Sequence, residues 1–146
     1  MPPWLRAVYK RFARFHLWLY RATGGWLGHH LTWIPSLVLV TTGRKSGERR
    51  PVTLTYVRDG DLPMVAGSNY GGDRPPAWFL NIGADPTVEV WTGRRRRTMT
   101  ARVFLPDDGE YARLWLLANQ GEQGRYDRYQ ALMERPIPLV RFEPEA

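Results

Sequence analysis

Three short segments carry the residues best suited to chemistry. The first, Thr41-Thr42-Gly43-Arg44-Lys45-Ser46-Gly47, is a glycine-bracketed basic turn that follows an apolar, β-branched run. Backbone N–H groups in such a turn can form an anion-binding concavity, with Arg44, Lys45 and Ser46 adding directed donors. The same spacing also describes a solvated hairpin turn. The second, Gly67-Ser68-Asn69-Tyr70-Gly71-Gly72, is followed by Ala77-Trp78-Phe79-Leu80-Asn81. Small residues admit a planar ligand close to the backbone, and a helix N-terminus favours a negative group; an ordinary loop has the same composition. The third is the pair Tyr126 and Tyr129, three apart on one helical face, which either packs or lines a pocket.

Familiar catalytic patterns are absent: there is no G-x-S-x-G, no H-E-x-x-H and no Walker loop. Gly24-Gly25-Trp26-Leu27-Gly28 follows a helix rather than a strand, against a dinucleotide fingerprint. His29 and His30 are adjacent with no acid nearby, which disfavours a metal site, and His16 reads as helix surface. The chain lacks cysteine, excluding a disulfide scaffold, a thiolate metal site and a Cys nucleophile.

These segments need a scaffold, and the pattern supplies one. Residues 4–21 form an amphipathic helix, with Trp4, Leu5, Val8, Tyr9, Phe12, Phe15, Trp18 and Leu19 on one side and Arg6, Lys10, Arg14 and Arg21 opposite. Thr23-Gly24-Gly25 ends it, and an irregular lead-in closes at Pro35. Strands are expected at 36–42, at 52–57 running into the hairpin signal Arg58-Asp59-Gly60-Asp61, at 63–68, and at 87–91 and 97–104 around Thr92-Gly93. Pro76 opens a short helix, Asp107-Asp108 caps another to about Asn119, a further helix spans about 123–134, and a last strand covers 137–142. Arg94-Arg95-Arg96-Arg97 reads as a charged edge strand. The fold class is mainly β (α+β): a small barrel of about six antiparallel strands. Residues 1–35 are its helix and lead-in, and residues 36–146 the barrel domain.

The 146 residues fit one domain, and the aromatic content (seven Trp, seven Tyr, five Phe) argues against disorder. No apolar stretch is long enough to span a bilayer, and no secretory signal is visible, so a cytoplasmic protein is expected. The net charge is +7, and residues 1–47 hold seven basic residues and no acid. That asymmetry disfavours a uniformly basic nucleic-acid binder. It fits a local anion site plus an anionic membrane surface met through residues 1–21 at the inner face of the cell membrane. Packing of that helix on the barrel explains the same pattern.

Together the segments resemble the deazaflavin-dependent nitroreductase family, the F420-dependent quinone and nitroimidazole reductases best known from actinobacteria. The resemblance runs from Tyr20-Arg21-Ala22-Thr23-Gly24-Gly25 through the 39–47 and 56–61 stretches, Ala66 to Gly72, Ala77 to Asn81 and Ala84-Asp85-Pro86, and ends at Ile137-Pro138-Leu139-Val140. It implies a split β-barrel close to that of FMN-binding oxidoreductases and an enzyme passing a hydride from F420H2 to a quinone-like or nitro-aromatic acceptor, as a monomer or homodimer. By this resemblance Arg44, Lys45, Ser46 and Gly47, with Arg50, hold the coenzyme's phosphate and glutamate tail. Val52 and Thr53 back the ring. Gly67, Ser68, Asn69, Gly71, Gly72, Ala77, Trp78 and Asn81 complete the cofactor groove. Thr55, Tyr126 and Tyr129 meet the acceptor, and a hydroxyl of Ser68 or Tyr129 polarises its oxygen. Thr55 stands where the characterised nitroreductases carry an aromatic residue. FMN is the alternative cofactor, but it lacks a polyanionic tail to match a turn extended by Arg49 and Arg50. A non-enzymatic carrier of a lipid or cofactor is the alternative from another class.

Overall fold

A computed structural model describes residues 35–121 and 124–145, together with positions 3–4, 10–11 and 14–15. The described N-terminal positions are helical and exposed. The rest of the expected 4–21 helix, the lead-in and all three histidines lie outside the described residues.

Seven antiparallel strands form one sheet in the order β2-β1-β5-β6-β7-β4-β3. They are β1 (Ser36–Thr42), β2 (Arg49–Thr55), β3 (Val57–Asp59), β4 (Leu62–Ala66), β5 (Thr87–Thr92), β6 (Arg95–Phe104) and β7 (Leu139–Pro144). Three helices follow the chain as α1 (Ala77–Ala84), α2 (Tyr111–Gly121) and α3 (Arg125–Gln130). The strands β2 and β3 occupy opposite ends of the sheet, yet Tyr56 alone joins them. The sheet must therefore curl until its ends meet, which makes a barrel split along a β2/β3 seam.

The expected single strand over 52–57 is corrected here. Its alternating pattern is continuous, but the Tyr56 N–H donates to the Pro35 carbonyl (3.2 Å), and the chain changes ladder at that residue. Leu54 pairs with Leu37 of β1, whereas Val57 pairs with Met64 of β4. Other boundaries shift as well. The Asp107-Asp108 segment forms a turn ahead of α2, α3 is shorter than expected, and the last strand starts two residues later. Arg95 to Thr98 pair with β5 only, whereas Met99 to Phe104 pair with β5 or β7. The arginine run is thus an overhang on an interior strand rather than part of an edge strand.

Period-two alternation sorts the core into two layers. Leu37, Leu39, Val65, Val88, Val90, Met99, Val140 and Phe142 fill the inside of the barrel with Trp78 and Ile82 of α1. Met64, Phe104 and Leu139 point the other way and bury Leu114, Ala118 and Tyr126 of α2 and α3. Strand β1 is buried on both faces, with Val38 and Val40 packing against Trp91. This explains its unbroken apolar run.

Candidate active site at the barrel seam

One groove of about 880 Å³ gathers most of the segments singled out above. Six consecutive residues of β2, Arg50 to Thr55, line it. A strand lines a cavity without alternation when it presents an edge, and β2 pairs on one side only. Every second residue of such an edge turns its N–H and C=O outward. The ends of this run, Arg50 and Thr55, are separated by roughly 17 Å of extended chain. They define two different ends of the groove.

At the Arg50 end, Asn81 of α1 fixes the basic turn. Its Oδ1 accepts from the Arg44 backbone N–H (3.2 Å) and guanidinium (3.0 Å), and its Nδ2 donates to Thr41 Oγ1 (3.0 Å). Asn81 and Thr41 are both buried. Gly43 is required by close approach: a Cβ there would lie 2.8 Å from Ser46 Oγ and 3.3 Å from the Glu48 carbonyl. The turn is closed by Gly43 N–H to Glu48 O (2.7 Å) and Gly47 N–H to Gly43 O (2.8 Å), and the Glu48 N–H donates to Ser46 Oγ (3.2 Å). The backbone concavity expected from sequence is corrected accordingly. The N–H groups of Gly43, Arg44, Gly47 and Glu48 are engaged inside the protein, so most donors for an anion are side chains. Arg50 reaches Ser46 Oγ (3.4 Å) and Glu48 (3.2 Å). Arg49 turns away to pair with Glu89 at 2.7 Å and takes no part in the groove.

At the Thr55 end, Thr55 Oγ1 lies 3.5 Å from the Tyr126 hydroxyl, and Tyr126 meets Tyr129 edge-to-face with centroids 6.4 Å apart. Ser68, Asn69, Tyr70, Ala77 and Trp78 complete the wall. Asn69, Tyr70 and Gly71 all have positive φ (46°, 57° and 77°) in one tight turn. Left-handed geometry at an aromatic residue costs energy and persists only where surroundings impose it. Arg135 imposes it here. Its guanidinium donates to the carbonyls of Gly67, Ser68 and Gly72 at 3.1 Å and of Arg74 at 3.2 Å. Burial lowers its pKa from the ordinary guanidinium value, although the nearby Asp73 charge opposes that shift. Asn69 Nδ2 adds a bond to the Arg74 carbonyl (2.9 Å).

The groove therefore brings together Arg44, Lys45, Ser46, Arg50, Val52, Thr53, Thr55, Ser68, Asn69, Ala77, Trp78, Asn81, Tyr126 and Tyr129. Gly47, Gly67, Gly71 and Gly72 are not on its wall and shape its loops instead. Gly67 lies where β7's lead-in crosses, and a Cβ would meet Pro138 Cγ at 2.8 Å. The sequence reading missed Arg125 and the holding residue Arg135, and it named the segments of Thr41 and Tyr70 without giving either residue a role. It also put Lys10 and Arg14 on a basic side facing solvent or a membrane, whereas both line this groove together with Arg11. Among the described residues no group of His, Cys, Asp or Glu is placed to hold a metal, and no helix is long and apolar enough to cross a membrane.

The seven-stranded split barrel with a cation-rich seam groove is an architecture that this chain shares with a solved cofactor-dependent reductase, and comparison sharpens this. A solved F420-H2 dependent reductase superposes with a TM-score of 0.67 at 33% identity, over 75% of this chain and 94% of its own. A solved chain described as a domain-swapped dimer gives 0.70 at 30% identity, covering 96% and 97%. An F420H(2)-dependent quinone reductase of Mycobacterium tuberculosis H37Rv is 42% identical over 139 residues, 94% of this chain and 93% of its own. The F420H(2)-dependent quinone reductase family model matches residues 12–144, and the chain belongs to that family. It is an oxidoreductase of the split-barrel type.

Proposed function

We propose that the chain binds coenzyme F420 along this groove and reduces a quinone-like acceptor at the Thr55 end. The supporting observation is the make-up of one cavity, with cations around Arg44 and Arg50 and hydroxyls and aromatic rings around Thr55. The residues present suit such a ligand. Thr53 Oγ1, on the wall, is buried without a hydrogen-bond partner, a state that a ring carbonyl or ring nitrogen would relieve. The volume lies within the usual range for cofactor pockets. The outward backbone groups of β2 offer donors and acceptors to the edge of a heteroaromatic ring.

When bound, the reduced deazaflavin supplies the hydride and reacts poorly with oxygen. The protein's part is positioning. Arg44, Lys45 and Arg50 take the phosphate, Val52 and Thr53 back one side of the ring, and Trp78 and Ala77 close the wall. Tyr126, held near Thr55, and Tyr129 cover the acceptor, and the Ser68 or Tyr129 hydroxyl donates to the acceptor oxygen as charge develops there. The described lining contains no Asp, Glu or His, so the proton comes from a hydroxyl or from water. With Thr55 in place of an aromatic residue, the acceptor end has room for a quinone ring beside Tyr126 and Tyr129.

Fluorescence titration with F420 and with FMN tests the cofactor, and F420H2 oxidation with menadione tests the reaction. F420 should bind more tightly than FMN and menadione should be reduced. Tight FMN binding with no F420 binding overturns the assignment.

A further inference from the structure

The loop that closes the acceptor end holds a residue against its backbone preference. Three consecutive positions have positive φ, and two of them, Asn69 (46°) and Gly71 (77°), carry residue types that tolerate it. The middle one does not. Tyr70 stands at φ 57° and ψ 32°, where the Cβ of a bulky residue crowds its own backbone. A glycine or asparagine at position 70 would make the same turn at less cost, and glycine already occupies the two positions that follow. Strained residues held in place by their surroundings cluster at functional sites. Here Arg135 grips carbonyls on both sides of the turn, and the Gly71 and Gly72 N–H groups donate to the Ser68 and Asn69 carbonyls at 3.0 Å.

The side chain of Tyr70 lines the groove and is half-buried. Its turn is seated against Tyr129 of α3 and Leu132 just beyond that helix: a Cβ on Gly71 would lie 3.4 Å from Cδ1 of each. Asn69 shares the turn, but its amide is bonded to the Arg74 carbonyl. Resting on the quinone-reductase reading above, we infer that Tyr70 is a specificity-determining residue of the acceptor end, whose ring stacks on the ring of the quinone. A quinone ring is electron-poor and a phenol ring electron-rich, so offset stacking is favourable and grows with the ring area shared. Strand β2 contributes Thr55 at this end, so the aromatic face comes from the loop instead of the strand.

Steady-state F420H2 oxidation with menadione, which has two fused rings, and with p-benzoquinone, which has one, tests this on the full-length chain and on Tyr70→Gly, Tyr70→Asn and Tyr70→Phe. Glycine and asparagine accept the left-handed backbone, so the first two variants keep the turn. Each should raise the menadione KM about five- to tenfold with kcat held, the mark of lost uniform binding. The rise should be smaller with p-benzoquinone, so selectivity between the two narrows, and F420 affinity by fluorescence titration should stay the same. Tyr70→Phe keeps the ring and should keep the wild-type menadione KM. A menadione KM within about twofold of wild type in both Tyr70→Gly and Tyr70→Asn overturns the inference; a melting temperature lowered at the same time would make Tyr70 a packing residue. An equal rise for both quinones overturns it too, as does a matching loss of F420 affinity. A wild type that binds no F420 or leaves menadione unreduced refutes the quinone-reductase reading instead.

Discussion

The two ends of the groove are built differently. At the Arg50 end a single buried amide, Asn81, joins the turn, β1 and α1 through three hydrogen bonds. Its partners are a hydroxyl, a backbone N–H and a guanidinium. At the Thr55 end no one residue does this. The wall comes from β2, from the loop 67–75 and from α3, and several separate ties hold its pieces in place. Arg135 grips the loop, Gln130 accepts from the Ile137 N–H (2.9 Å), and Asp127 of α3 accepts from Trp115 Nε1 of α2 (2.8 Å). A phosphate site needs fixed donors, whereas an acceptor site assembled from separate pieces can be reshaped without disturbing the anion end.

Arg135→Ala should produce the largest effect, because it withdraws one guanidinium from four carbonyls. Unmet buried acceptors and the released left-handed turn should cost about 2–4 kcal/mol. The melting temperature should fall by roughly 6–12 °C for a chain of this size. Arg135→Lys should recover only part, since an ammonium cannot reproduce the planar fork. If Arg135→Ala melts within a degree or two of wild type, the loop holds itself and the contrast between the ends is wrong.

Arg44→Ala acts on the other end and should weaken F420 binding about 10- to 100-fold, the loss of a charge-assisted contact. Because Asn81 holds Arg44, Asn81→Ala combined with Arg44→Ala should weaken binding by less than the two single losses together. Affinities of the four proteins, measured by fluorescence titration, decide this. Additivity would mean that Asn81 does not position the anion donor.

The same contrast explains what the sequence made legible. The turn at 43–47, the loop at 67–72, the Pro76-led helix and the tyrosine pair each announce themselves through local signals, namely glycine spacing, a helix-opening proline or a three-residue period. Arg135 sends no such signal. Its role arises from contacts more than sixty positions away, and in sequence it is one arginine before a proline. Charge counting also failed at Arg49, because composition cannot say which way a strand residue points, and Arg49 meets Glu89 across β1. Likewise the pattern over 52–57 alternates without a break, so the change of ladder at Tyr56 is visible only once both partner strands are known. The N-terminal cations were noticed, but their amphipathic arc does not distinguish a membrane surface from the protein's own groove.

Tyr129→Phe probes the acceptor end without disturbing its packing. Loss of one hydroxyl that donates to the acceptor oxygen should lower kcat with a quinone severalfold, on the order of 1 kcal/mol, and leave F420 affinity unchanged. A silent Tyr129→Phe, with Tyr129→Ala lowering the melting temperature, would reduce Tyr129 to a packing residue beside Gly71, where an added Cβ would lie 3.4 Å from its ring.

The smallest effect concerns acid. Asp59 of β3 is bonded by Arg113 of α2 (2.8 Å) and by Arg141 of β7 (2.7 Å), and α2 in turn carries α3. The hydrogen bond from Arg113 lowers the Asp59 pKa from 3.8 to about 2; burial opposes the shift and Arg141 adds to it. A carboxylate with a depressed folded pKa adds stability above its unfolded pKa and loses it as pH falls through the folded one. The contribution is therefore complete above about pH 4 and gone below about pH 2. Arg113 is half-exposed, so screening limits it to about 1 kcal/mol. Asp59→Asn should melt a few degrees below wild type at pH 7, and the gap should close between pH 4 and pH 2. Amide exchange in that window should rise first in α2 and α3, while the turn bound to Asn81 stays protected. Earlier exchange at the turn than in α3 would show that the two ends share one stability, and the comparison between them would fail.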